Sequence, residues 1–252
     1  GLIFARWNET DMRSYLIEIT SKILRHRDVT GDYVLDKILD VANQKGTGRW
    51  SVQNALNLNE PLDMVAEAVF ARDLSEKKKL RETLSRTYNR DTNLALYQRD
   101  ELLAQLFDTL SVSRIVSYAQ GFSLMRKASD TYQWNLNYAS VALIWREGCI
   151  LRSELLNSIA KAFLSNSQLE NLLAVSSFSE KVKHTLPSWK KIIAMAVKEE
   201  ITIPALSAAL NYFYGITTAH LSANLIQAQR DFFGAHTFER IDEPRGSFFH
   251  EL

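Results

Sequence analysis

The chain has 252 residues, 46% of them hydrophobic, enough to bury a large core in one large domain or two of ordinary size. A formal net charge of +1 gives no whole-chain attraction to nucleic acid or to an anionic membrane, so any anion must be read by local clusters. A lone cysteine, Cys149, excludes an internal disulfide and suits a reducing, cytoplasmic compartment; between Gly148 and Ile150 it reads as an inert core thiol.

Residues 1–6 have neither the basic region nor the apolar length of a signal peptide, and the start without methionine reads as cut from something longer. Asn8 and Thr10 are expected to cap a helix whose apolar residues Met12, Tyr15, Leu16, Ile19, Ile23 and Leu24 recur at helical spacing. Thr30 and Gly31 read as its connector, and Val34 to Leu39 fits either a short extended run or a helical turn. Pro61 suits the first turn of a helix with an apolar face of Met64, Val65, Ala68, Val69 and Ala71. The charged stretch 75–90, with Lys77 to Lys79, reads as a solvated helix face.

From Asp100 to Arg126 the spacing predicts one long helix, with a kink near Ser111–Ser113 and with Gly121 allowing close helix approach. A turn at 134–137 precedes predicted helices over Tyr138–Trp145 and Ile150–Phe163, and another runs through Val182, Trp189, Ile192 and Ala196. Pro204 then opens a helix in a stretch, Ile201 to Gln229, that carries no charged residue. Asn211, Thr217, Thr218, His220, Asn224 and Gln227 make it too polar for a lipid-facing span, so it is expected to be buried in a core or a subunit interface. The last residues, 239–252, lack helical periodicity and read as an extended tail anchored by Phe248 and Phe249. Alternating strand patterns are nearly absent, and the expected class is all-α.

No Gly-x-Gly-x-x-Gly follows a strand, and Lys45-Gly-Thr-Gly48 lacks the spacer of a phosphate-binding Walker loop, so neither motif encodes nucleotide binding. Lys45 and Thr47 offer an ammonium, a hydroxyl and glycine-flanked amides, which alone describe a surface turn. Arg72 alone reads as an ion-pair partner of Asp73 or another nearby acid. Arg230 and His236, six positions apart, alone read as a helix C-terminus with Gly234 at the left-handed position. His26, His184, His220 and His250 show no metal-ligand spacing. Trp50, Trp134 and Trp145 read as packing residues, and Glu147 and Arg152 as structural ion pairs.

Five stretches nevertheless stand in register: QKGTGRW at 44–50, EAVFAR at 67–72, IVSYAQGF at 115–122, ALIWREGCI at 142–150 and ANLIQAQRDFFGAHTFER at 223–240. Together they resemble the C-terminal part of decarboxylating, NADP-dependent 6-phosphogluconate dehydrogenases. The resemblance implies a large multi-helix domain of two related helical halves over residues 1–233, with an extended C-terminal tail, 234–252, reaching the partner subunit of a homodimer. It makes Lys45 and Thr47 substrate-binding residues and Arg72 a phosphate ligand. Arg230 would bind the phosphate, and His236 the hydroxyl or phosphate end, of 6-phosphogluconate in the neighbouring subunit's site. The family's acid/base lysine, its acidic glutamate and its NADP-binding domain would all precede Gly1. This chain alone is therefore expected to hold no catalytic residue, to bind no cofactor and no metal, and to be inactive. Neither nucleic acid nor membrane is implied as a partner. Relatives acting on short β-hydroxy acids have a shorter helical domain, so the length here favours the sugar phosphate. The rival reading is a stand-alone helical interaction module descended from the enzyme, its phosphate residues idle.

Overall fold

Apolar residues at helical spacing produce helices here and nothing else. The computed structural model describes residues 1–250 apart from Asp91 and Glu147, and among these it has eleven α-helices and no strand. They are α1 (Leu2–Trp7), α2 (Tyr15–Ile23), α3 (Thr47–Leu58), α4 (Asp63–Ser75), α5 (Lys78–Thr87) and α6 (Arg99–Tyr132). Then come α7 (Tyr138–Ile144), α8 (Leu155–Ser165), α9 (Ser176–Lys198), α10 (Pro204–Ile216) and α11 (Ala223–Gly234). The chain forms two compact units, Gly1–Leu210 and Asn211–Leu252.

The first unit is built on α6, a helix of 34 residues that spans about 50 Å at 1.5 Å per residue. Gln98 caps its start by accepting from the Glu101 N–H, and Gln133, at φ 57°, ends it in the left-handed region. One face of α6 buries Ile115, Ala119 and Phe122 against Tyr138 and Ala142 of α7, Leu156, Ile159 and Phe163 of α8, and Phe178 of α9. Phe163 lies 5.0 Å from Phe122 and 5.3 Å from Tyr138, ring to ring. Each such side chain, fully buried, stabilises the fold by about 1.5–3 kcal/mol. Trp189 of α9 is fully buried. Glu199, also buried, accepts from the Tyr97 hydroxyl at 2.7 Å and the Asn93 N–H at 3.0 Å, which hold its carboxyl below the usual range.

α6 also starts α4. The N-cap residue Leu62 supplies no side-chain cap, and Pro61 lies just before it rather than in the first turn. Gln120 of α6, buried, does the capping: its Oε1 accepts from the Met64 N–H at 3.2 Å and its Nε2 donates to Asp63 at 3.1 Å.

Several local expectations are corrected. Ser14, not Asn8 or Thr10, caps α2, because those two side chains hold the preceding turn by accepting from Ser14 N and Met12 N. Of the two readings left open for Val34 to Leu39, the structure has the helical one, a 3-10 turn over Val34–Lys37. α6 is a single helix through Ser111–Ser113, and a Cβ at Gly121 would meet nothing within 4 Å, so no close approach is marked there. α8 begins at Leu155, not Ile150, because an antiparallel bridge between Ser14 and Ser153 keeps that strand-like pair extended. Cys149 is half-buried in a turn, its Sγ accepting from Leu151 N, and is not a core thiol. Trp50 and Trp134 are exposed, whereas Trp145 packs on Phe122. Arg152 pairs with Glu18 at 2.7 Å; Glu147 lies outside the described residues.

The uncharged stretch is two helices, not one. The Thr217 and Thr218 hydroxyls donate to the carbonyls of Phe213 and Tyr214 where α10 ends, and α11 starts only at Ala223. Residues 216–226 are exposed in this chain, so they form no buried core element. No helix among the described residues is long and apolar enough to cross a membrane.

Candidate functional site

The loop carrying Lys45 is tied down before it reaches α3. Arg81 donates to Asp40 at 2.8 Å and Lys78 pairs with it at 2.7 Å; together they hold the Asp40 carboxyl well below the usual range. Ala42 N donates to Ser75 Oγ at 2.9 Å, and Gln44 Nε2 to Asp73 Oδ1 at 2.6 Å. Gly46 then adopts φ 98°, a conformation that strains any side-chain-bearing residue, and α3 begins at Thr47. A Cβ at Gly48 would lie 2.8 Å from Val69 Cγ2, so the second glycine lets α3 start against α4.

No side chain caps α3, and its first intrahelical bond is Trp50 N to Gly46 O. The amides of Thr47, Gly48 and Arg49 thus precede the helical ladder, at the end where the dipole favours an anion. The exposed Lys45 and Thr47 side chains stand at this helix start. Arg72 lies near the end of α4, the helix that Gly48 abuts. Its expected pairing with Asp73 does not form, since Asp73 is taken by Gln44, and the exposed guanidinium makes no ion pair among the described residues. The Lys77–Lys79 run is a solvated face whose Lys78 serves Asp40 and Glu82. An open cavity of about 430 Å³, lined by Tyr97, Gln105, Lys191 and Lys198, includes none of these site residues.

Arg230 and His236 belong to the second unit. Here the expectation for Gly234 is corrected: it is the last helical residue, and Ala235 takes the left-handed position at φ 50°. Glycine at 234 has another effect. A Cβ there would lie 2.8 Å from both Cδ2 and Nε2 of His236, so its absence lets the imidazole lie over the helix end. The ring also meets Phe233 edge-on, with centroids 6.1 Å apart. Arg230 donates to Gln227 Oε1 at 2.9 Å and is exposed, as is His236.

The tail is held by residues that sequence reasoning passed over. Asp231, fully buried, accepts from Thr237 N at 2.9 Å and lies 3.0 Å from His250 Nδ1. Phe238 and Phe249 exchange backbone hydrogen bonds of 2.9 Å as an isolated bridge. Phe249 is therefore the anchor, while Phe248 is exposed, which corrects the expectation that both serve. The available signal was the four-residue spacing of Gln227 and Asp231, one helical turn around Arg230.

Comparison with known proteins decides the family. The family model for the 6-phosphogluconate dehydrogenase C-terminal domain matches residues 1–252. The chain belongs to this family. Among curated relatives, the decarboxylating 6-phosphogluconate dehydrogenase of Treponema pallidum (strain Nichols) is 47% identical over 253 residues, covering 98% of this chain and 52% of the relative. That of Haemophilus ducreyi is 44% identical, covering 98% and 51%. A solved structure of Plasmodium falciparum 6-phosphogluconate dehydrogenase, described in its apo form and with its cofactor NADP+ or its substrate 6-phosphogluconate, superposes with a TM-score of 0.95. It is 40% identical, over 99% of this chain and 54% of that one. The chain thus spans about half the length of the curated relatives it matches. The 6-phosphogluconate dehydrogenase words fall on the start of α3, on α4 and α6, on α7 with its following turn, and on α11 with the tail. Among the described residues there is no strand, hence no βαβ unit of the kind that holds a dinucleotide, and no group of three His, Cys, Asp or Glu suited to a metal.

Proposed function

We propose that this chain is the substrate-binding and dimerisation part of a decarboxylating 6-phosphogluconate dehydrogenase, which converts 6-phosphogluconate to ribulose 5-phosphate with NADP. The observation that carries the proposal is the uncapped start of α3, with Lys45 and Thr47 beside free amides and an unpaired Arg72 on the adjoining helix. Helix amides with a lysine and an arginine suit phosphate oxygens, and a guanidinium fork adds paired charge-assisted bonds. Arg230 and His236, on the tail-bearing unit with residues 234–252, complete the site in a partner subunit. On this reading the residues named here bind and orient the sugar phosphate, and no redox step is assigned to them.

Calorimetric titration of the 252-residue chain with 6-phosphogluconate tests this reading. Binding is expected for 6-phosphogluconate, far less for gluconate, with loss in Lys45→Ala and Arg72→Ala. Absence of specific binding would sink it in favour of a non-catalytic interaction module. The isolated chain, given NADP and 6-phosphogluconate, is expected to form no NADPH.

A further inference from the structure

Gln227 of α11 links Arg230 to the peptide that follows His236, the two residues proposed to meet the sugar phosphate, and its amide is used at both ends. Its Oε1 accepts from Arg230 Nη1 at 2.9 Å, while its Nε2 donates to the Thr237 carbonyl at 2.5 Å. Those partners fix the amide's orientation, because a guanidinium can only donate and a carbonyl can only accept. The other side of the same residue is also held: Thr237 N donates to the buried Asp231 carboxylate at 2.9 Å. Thr237 sits at φ 59°, an unfavourable conformation for a β-branched side chain, and follows His236 directly. A backbone so strained persists where its surroundings over-determine it. Here the surroundings are Gln227 and Asp231, one helical turn apart on α11, gripping residue 237 by its carbonyl and its N–H.

We infer that Gln227 and Asp231 are positioning residues that lock the Arg230 guanidinium and the His236 imidazole into one geometry for a phosphorylated sugar acid. The inference rests on the substrate reading above for its ligand, though not for its geometry. Gln227 acts on both at once, through a hydrogen bond to Arg230 and through the peptide that follows His236. Asp231 acts through the tail, and His250 lies 3.0 Å from the same oxygen. Gly234 leaves the space into which the locked imidazole settles.

The test uses the full chain and reads His236 itself. Imidazole NMR signals are recorded for the chain and for Gln227→Leu, Gln227→Glu and Asp231→Asn, with His236 assigned by its loss in His236→Gln. Gln227→Leu removes both bonds; Gln227→Glu keeps an acceptor for Arg230 but sets an oxygen against the Thr237 carbonyl. Both are expected to move the His236 signal while leaving His26 and His184 in place; Asp231→Asn, which keeps an acceptor for Thr237 N, is expected to stay near the parent. An unmoved His236 signal in the Gln227 variants overturns the inference, and if Gln227→Leu does not fold, Gln227→Glu decides. Titration with 6-phosphogluconate supplies the functional half, with affinity expected to fall about fivefold to tenfold in Gln227→Glu, as for one lost hydrogen bond, and further in Gln227→Leu, which loses two. Equal affinity overturns the positioning role. If the parent chain binds no 6-phosphogluconate, the substrate reading falls, and the His236 signal still decides whether Gln227 sets the geometry.

Discussion

Alanine at Gly48 should change the sign of its effect with the residue it faces. The added Cβ would stand 2.8 Å from Val69 Cγ2, well inside van der Waals contact, and Val69 is buried on α4. Overpacking of this kind costs about 1–3 kcal/mol. Against it stands a helix-propensity gain of up to about 1 kcal/mol for replacing glycine inside a helix. With the full propensity gain subtracted, Gly48→Ala alone should therefore destabilise by up to about 2 kcal/mol. In a Val69→Ala background the obstructing methyl groups are gone, and the same substitution should stabilise by roughly 0.5–1 kcal/mol. Urea unfolding midpoints of the four proteins in this cycle measure both steps. The same sign in both backgrounds would refute the claim that Gly48 is there to let α3 start against α4. Because the clash lifts the start of α3 off α4, Gly48→Ala should also weaken 6-phosphogluconate binding, and Val69→Ala should restore it.

In an enzyme that unites this chain with its NADP-binding segment, Arg230→Ala should raise KM for the sugar phosphate about tenfold or more. The basis is a charge-assisted bond of roughly 1.5–3 kcal/mol, with KM for NADP little changed; mixing Arg230→Ala with Lys45→Ala chains should restore activity in the heterodimer, and no recovery there would rule out a shared site. Gly234→Ala should lower sugar-phosphate affinity with little loss of stability, since the new methyl meets the His236 ring rather than a core; an unchanged affinity would count against the imidazole's placement. Lys37, followed by Thr30, holds the Asp28 carboxyl at about 2, below its ordinary 3.8. With the folded value depressed, the stability this carboxylate lends the 27–37 turn is complete above about pH 4 and lost as pH falls through about 2. Amide exchange at Gly31, whose N–H donates to Asp28 O, should quicken over that window, and a rate indifferent to pH beyond its chemical baseline would contradict the assignment.

Periodicity made the helices legible because it reports burial, and α6 and α9 have long, regular apolar faces. Boundaries were less so wherever a distant partner set them. Nothing near Ile150 announces that Ser153 bridges Ser14, and nothing near Met64 announces that Gln120 caps its helix. Absence of charge misled at 201–229, because uncharged side chains such as Thr217 and Thr218 can end a helix through their own hydroxyls. At the candidate site, the glycines around Thr47 read alone as a surface turn, and the different reasons for them, φ at Gly46 and contact with Val69 at Gly48, were not legible. Arg230 and His236 were singled out through resemblance. Gln227 and Asp231, which hydrogen-bond to Thr237, offered only their four-residue spacing as a signal.

The side-chain amide by which Gln120 caps α4 fastens that helix to α6 at its first turn. α4 buries only Val69 among its described residues, so hydrogen bonds hold its two ends: Gln120 at Asp63 and Met64, and the 42–44 segment at Asp73 and Ser75 through Gln44 Nε2 and Ala42 N. Hydrogen exchange at Met64 should therefore follow the opening of α6, while exchange at the end that carries Arg72 should follow the 42–44 segment. A phosphate bridging Arg72 and the start of α3 would clasp the end that this segment already holds, slowing exchange there and leaving Met64 unchanged.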